Sequence, residues 1–177
     1  MFTLTKMKME HVDAAVSITA DAKKLLRERG VSQWQRGTYP DRQVFLSDVD
    51  QGIGYVLLEE DELVAVCAVT YTDEACYRRK NLINGDWTLS DDLCYATIHR
   101  SAVAKAHQGR HISTVLFETV KEMAMKAGAH SIRIDTHPDN LVMQGALFRA
   151  GFVKKNSFYL LDGDEIGDLR YGYELVF

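Results

Sequence analysis

"AVAKAHQGRHISTVLFETV", residues 102–120, is the stretch on which the reading of this chain turns. It passes from an apolar, strand-like run through a basic, polar turn with one glycine and straight into a helix. In that helix Val115, Leu116, Thr119, Val120, Met123, Ala124 and Ala127 fall on one stripe at helical spacing, with Gly128 just beyond. A helix start carries unpaired backbone N–H groups and the positive end of the macrodipole, so it favours a phosphate. Lys105, Gln108, Arg110 and His111 add donors there, and Gly109 lets the backbone come close to a ligand.

Outward from this stretch, periodicity sets the remaining elements. Residues 10–29 carry Val12, Ala15, Val16, Thr19, Ala22 and Leu26 on one helical stripe, and Gly30 is placed to end it. A loop around Trp34 and Tyr39-Pro40 follows, then a second short helix from Asp41. "GYVLLEEDELVAVCAVTYT" reads as a β-hairpin turning near Glu60-Asp61, its second arm apolar enough to be covered on both faces. Residues 72–93 are polar and irregular. A strand, "CYATIHRSAVA", leads into the opening stretch. Beyond the helix come a strand, "SIRIDTH", a short helix, "PDNLVMQGALFRAG", and two closing strands, "NSFYLL" and "LRYGYELVF". No repeat or linker divides this order, which predicts a single mixed α/β domain over residues 1–177.

Composition narrows the function classes. The chain has 177 residues, 46% hydrophobic and 26% charged, with a net charge of −4. That balance gives no general attraction to nucleic acid, and no basic stripe or aromatic platform is apparent. The longest apolar run falls far short of the roughly 20 residues of a membrane span. The N-terminus lacks the apolar core of a secretory signal, and Cys67, Cys76 and Cys94 follow no disulfide or metal spacing. The expectation is a cytoplasmic protein with no membrane, nucleic-acid or metal partner. His107 and His111 have a metal-like spacing, but Gly109 lies between them and no carboxylate or Cys completes a set.

The order strand, turn, helix, strand, Asn-containing turn, short helix and "GF" resembles the Gcn5-related N-acetyltransferase family. That family's acetyl-CoA loop matches Gln108-Gly109-Arg110-His111-Ile112-Ser113, and its second half matches Asp135-Thr136-His137-Pro138-Asp139-Asn140, then Met143 and Gly151-Phe152. The resemblance covers roughly residues 50–160. It implies a central, mostly antiparallel twisted sheet of about six to seven strands with helices on both faces. It also implies acetyl-CoA as co-substrate, held by Val103, Gln108, Gly109, Arg110, His111, Ile112, Ser113, Thr114 and Asn140. Three departures stand out: His111 where the family most often has Gly, Ser113 where it has Gly or Ala, and Leu147 where it has a Tyr acid. His tolerates a left-handed conformation better than most residues, and the Ser113 hydroxyl could cap the helix or bond a phosphate oxygen. Asn140 is also a good helix N-cap.

Acetyl transfer to an amine requires a deprotonated nucleophile, because an alkyl ammonium of pKa about 10.4 has no lone pair. The developing oxyanion needs a donor, which the resemblance assigns to the Val103 backbone N–H. His99, Asp135 and His137 are the candidate bases, His99 first, with a carboxylate neighbour making it a better acceptor. Strict alternation would put Thr97, His99 and Ser101 on one face of their strand and Ile98, Arg100 and Ala102 on the other. Asp135 could equally form an ion pair with Arg133, and Tyr159, Tyr171 and Tyr173 are phenols that could replace the missing acid. For the amine-bearing acceptor, Trp34, Tyr39 and Trp87 are the expected cleft residues, with Tyr77 nearby. Asp73, Glu74, Asp86, Asp91, Asp92, Asp162, Asp164, Glu165 and Asp168 supply an acidic mouth. A catalytically weak acyl-CoA-binding module with the same fold is the alternative, and a homodimer is compatible with either.

Overall fold

The computed structural model describes residues 1–90 and 92–177. Eight strands form one sheet: β1 (Phe2–Lys6), β2 (Gly54–Glu59), β3 (Glu62–Thr70), β4 (Leu82–Gly85), β5 (Tyr95–Val103), β6 (Ser131–Thr136), β7 (Val153–Tyr159) and β8 (Leu169–Val176). Among the described residues four α-helices accompany them: α1 (Val12–Glu28), α2 (Arg42–Asp50), α3 (Ile112–Lys126) and α4 (Leu141–Arg149). The strand order is β1-β2-β3-β5-β6-β8-β7-β4. The sheet therefore exceeds the expected six to seven strands. β1 and β4 are short edge strands of five and four residues, too short for alternation to mark them in the sequence.

All pairings are antiparallel except β5 with β6. That parallel ladder joins only Tyr95–Thr97 to Ser131–Arg133. Beyond Thr97 the two strands part, so the sheet opens into a V whose arms are the rest of β5 and β6. Backbone groups lining such a gap have no ladder partner and are free to meet a ligand.

Helices cover both faces. Ile112, Leu116, Phe117, Val120 and Ala124 of α3, with Ala146 and Leu147 of α4, pack on Val64, Cys67, Ile98 and Ile132. Val12, Ala15 and Ile18 of α1 and Phe45 of α2 pack on Val56, Val66 and Ala102. Residues 64–69 of β3 are all buried, as expected for a strand covered on both sides. Each fully buried Leu, Phe or Ile contributes about 1.5–3 kcal/mol of transfer free energy.

One expectation fails in β5. Opposite β3, Val66 faces Ala102 and Ala68 faces His99, so Cys67 alone stands against Arg100 and Ser101. This is a β-bulge, with Arg100 at φ +51°. The extra residue reverses the alternation: Ile98 joins the α3-side core while Ala102 joins the α1-side core. Strict alternation placed them on one face. A non-glycine residue in that backbone region costs about 1–3 kcal/mol and persists only where its surroundings impose it.

Candidate active site

The turn before α3 is built from its own backbone. Gly109 sits at φ +80° and His111 at φ +58°, ψ +21°. His111 thus occupies the left-handed well at the N-cap, which a His tolerates. Its carbonyl accepts the first helical bonds, from Thr114 N at 3.0 Å and Val115 N at 3.3 Å. Among the described residues, the backbone N–H groups of residues 109–113 donate to no protein acceptor. Five successive free N–H groups at a helix start form a cradle suited to phosphate oxygens.

This cradle borders a cavity of about 370 Å³. Val103, Gln108, Gly109, His111, Ile112 and Ser113 line one side, Asn140, Met143 and Ala146 another, and Leu25, Leu26 and Arg29 at the end of α1 a third. Seven of the nine residues expected to hold acetyl-CoA line it. Arg110 and Thr114 do not. The Arg110 guanidinium turns away, donating to Glu59 Oε1 at 2.8 Å and lying 2.7 Å from His107 Nδ1. Thr114 is already inside the helix. His107 is fixed by Glu62 at 3.0 Å and by Arg110, and it is not paired with His111. Asn140 caps α4, its Oδ1 accepting from Met143 N at 3.2 Å.

A second cavity of about 450 Å³ is lined by residues of both β5 and β6. Its walls are Trp34 and Tyr39 from the α1–α2 loop, Glu74 and Tyr77 from the β3–β4 connection, His99 and Arg100 from β5, Asp135 from β6, and Asp162, Asp164 and Glu165 from the β7–β8 loop. The two cavities share Gln33, Trp34 and Met143, so they adjoin.

His99 faces this second cavity. Its Nε2 lies 3.2 Å from Glu74 Oε1 and 3.2 Å from Thr70 Oγ1. Nδ1 makes no hydrogen bond among the described residues. With Nε2 carrying the proton toward the carboxylate, Nδ1 keeps a lone pair. The hydrogen bond from His99 holds the Glu74 carboxyl below the usual carboxylate range, against the effect of its partial burial. Of the candidate bases, neither Asp135 nor His137 hydrogen-bonds His99; its carboxylate neighbour is Glu74. Glu74 stood in the sequence as one acid among many, and no local pattern tied it to a residue 25 positions on.

Asp135 lines the same cavity but is engaged elsewhere. It accepts from Tyr77 OH at 2.8 Å and lies 3.4 Å from Arg170 Nε. Burial raises its carboxyl above the usual range, partly offset by Arg170. Its expected pairing with Arg133 does not form: Arg133 pairs with Glu174 at 3.1 Å, both side chains fully buried. His137 lines neither cavity. Its Nδ1 accepts from Asp139 N at 3.1 Å and its Nε2 meets Ser32 Oγ at 3.0 Å, so both ring nitrogens are committed to holding a turn.

Trp87 also differs from expectation. It is buried beside Tyr77, Tyr95 and Phe158, donates its indole N–H to Tyr77 O at 2.7 Å, and lies under the Arg133 guanidinium. It braces the wall behind Tyr77 and does not line the cleft. Tyr159, Tyr171 and Tyr173 line neither cavity, and Leu147 is fully buried in the α3-side core. The phenols that do reach the second cavity are Tyr39 and Tyr77, and burial raises both above the ordinary phenol value. Asp91 lies outside the described residues. Asp162, Asp164 and Glu165 join the second cavity, whereas Asp86 is tied to Arg79 and Asp168 to Arg36 outside it.

The parted strands, the helix-start cradle and the adjoining cavity define a mixed α/β protein with a turn of free N–H groups beside a split sheet. The model of the Acetyltransferase (GNAT) family matches residues 19–152, and the chain belongs to that family. Among solved structures it resembles a GNAT-family acetyltransferase from Streptococcus agalactiae, at 22% identity and TM-score 0.86 over 99% of this chain and 95% of that one. It also resembles the ribosomal-protein-S18-alanine N-acetyltransferase of Escherichia coli, at 15% identity and TM-score 0.61 over 99% and 94%. A third likeness is Mycobacterium smegmatis RimJ in complex with CoA-disulfide, at 16% identity and TM-score 0.66 over 99% and 81%. These likenesses speak for the fold. Among curated proteins no sequence matches significantly.

Proposed function

We propose that the protein transfers an acetyl group from acetyl-CoA to a primary amine by direct attack. The observation that carries this reading is the adjoining of two cavities of different character. One is lined by Gly109, His111, Ile112 and Ser113, whose backbone N–H groups are free at a helix start. The other offers a His whose ring is oriented by a carboxylate and keeps one free nitrogen.

The residues fit CoA on their own geometry. The cradle of residues 109–113 would hold the pyrophosphate, and Gly109 leaves open space where a Cβ would stand. Val103 and Asn140 would flank the pantetheine arm along the parted edge of β5. Acetyl-CoA, when bound, supplies an activated acyl carbon on a thioester. His99 Nδ1 takes a proton from the acceptor's ammonium, directly or through water, and Glu74 stabilises the imidazolium that forms. The C–N bond forms as the C–S bond breaks; a second proton leaves the nitrogen and the departing thiolate takes up one. Trp34 and Tyr39 would hold a cationic amine against their ring faces. Among the described residues, six carboxylates line this cavity against two guanidiniums, Arg100 and Arg170, which favours a positively charged acceptor.

Calorimetric titration with acetyl-CoA, followed by an amine panel with free-thiol detection, tests this. Micromolar binding with amine-dependent thiol release is expected. Binding without turnover would instead indicate an acyl-CoA-binding module. Absence of binding would remove the assignment altogether.

A further inference from the structure

Of the three residues common to both cavities, Gln33, Trp34 and Met143, Gln33 is the one that carries a side-chain amide. The orientation of that amide is fixed by its neighbours. Asn140 Oδ1 accepts from Met143 N, so Asn140 Nδ2 must be the atom that meets Gln33, at 3.0 Å. The His137 backbone N–H, an obligate donor, also points at Gln33, at 3.4 Å, and Thr136 Oγ1 lies 3.3 Å away. Two obligate donors on one side place the carboxamide oxygen there. Gln33 Nε2 therefore faces the other way, and it makes no hydrogen bond among the described residues.

We propose that Gln33 is a catalytic residue whose Nε2 donates a hydrogen bond to the thioester carbonyl oxygen at the junction of the two cavities. This rests on the reading of the 370 Å³ cavity as the acetyl-CoA site. The chemistry of the donor selects its partner. An ammonium substrate offers only donors and cannot satisfy an N–H. A carbonyl oxygen that gains negative charge as the amine attacks is the acceptor that must pass through this junction. An amide held by three contacts on its far side needs no reorganisation when that charge develops, which is what makes such a donor effective. Gln33 comes from a loop in which no motif was legible, and it supplements the backbone donor expected at Val103.

Gln33→Glu separates the two halves of the side chain. It keeps an oxygen for Asn140, His137 and Thr136 and removes the donor. Affinities of wild type and Q33E for acetyl-CoA and for CoA are measured by calorimetry, with kcat for the best amine alongside. CoA lacks the acyl carbonyl, so the ratio of the two affinities isolates the proposed bond from any general effect of the new charge. The expected result is a two- to tenfold loss of preference for acetyl-CoA over CoA, about the worth of one hydrogen bond. A kcat lower by about 10²-fold or more should accompany it. An unchanged ratio with unchanged kcat would show that Gln33 only ties the turn. Equal weakening of both ligands would place the donor on the pantetheine arm, and either result overturns the proposal. If Q33E does not fold, Gln33→Met is read by the same ratio. Failure of wild type to bind CoA at all would instead overturn the acetyltransferase reading itself.

Discussion

The two cavities are made by different means. The helix-start cavity is bordered by one short turn, residues 109–113, whose decisive groups are free main-chain N–H. The second cavity draws on the α1–α2 loop, the β3–β4 connection, β5, β6 and the β7–β8 loop, and its decisive groups are side chains in pairs. Arg100 forks onto Asp48 at 3.0 and 2.7 Å and reaches Tyr39 OH at 3.1 Å. Arg170 bridges Asp135 and Glu165, while Glu165 and Asp164 accept backbone N–H groups of residues 34, 38 and 39. A site built on backbone tolerates a changed side chain, as His111 and Ser113 illustrate. A site built on paired side chains changes character with each substitution. The first thus suits a ligand common to a family, and the second an acceptor particular to one member.

This contrast can be broken or sharpened by substitution. The largest expected effect is on His99→Ala, which should lower kcat by about 10²- to 10⁴-fold while leaving CoA affinity unchanged in calorimetry, because His99 lies only in the second cavity. A parallel loss of CoA binding would show that the cavities are not independent. Leu147→Tyr restores the residue usual at that position, yet Leu147 is fully buried. Overpacking should cost about 1–3 kcal/mol in denaturant unfolding and should bring no gain in kcat. A kcat increase would mean that the core gives way and the phenol reaches the cavity.

Glu74→Gln probes the same pair through pH. The Glu74 carboxyl sits below its ordinary value of 4.5 because His99 hydrogen-bonds its charged form. A lowered acid contributes stability above the ordinary value, and that contribution is lost as pH falls through the folded value. The Tm difference between wild type and E74Q should therefore be steady at neutral pH and should shrink below about pH 4.5. A difference independent of pH would show that Glu74 acts by packing alone. The smallest effect is expected for His111→Gly. Removing the Cβ from the left-handed well relieves about 1–2 kcal/mol, and the added chain entropy of Gly offsets about 0.5–1 kcal/mol of it. Stability should shift by no more than about 1.5 kcal/mol, with the cradle intact by CoA titration.

Much of the fold was legible. The helical stripes of α1 and α3, the start of α2 at Asp41, the Asn140 cap, the hairpin and the both-sides-buried β3 all follow from periodicity and capping chemistry, which are local. β1 and β4 were not visible, since five- and four-residue edge strands carry little pattern. The bulge at Arg100 was not visible either, because it arises from the register between β3 and β5. Of the site, the contiguous cradle could be read residue by residue, whereas the Glu74 partner of His99 and the amide of Gln33 could not.

The sequence by itself determined the helices, the hairpin and the longer strands, the family resemblance and the helix-start turn, because propensity, caps and backbone chemistry act over a few neighbouring residues. Tertiary structure decided which acid meets His99, why Asp135 turns to Tyr77 and Arg170, why Trp87 is buried, and where the Gln33 amide points. Those outcomes depend on which strands adjoin and where their register slips. Burial then forces each charged or polar group to take the partner within reach.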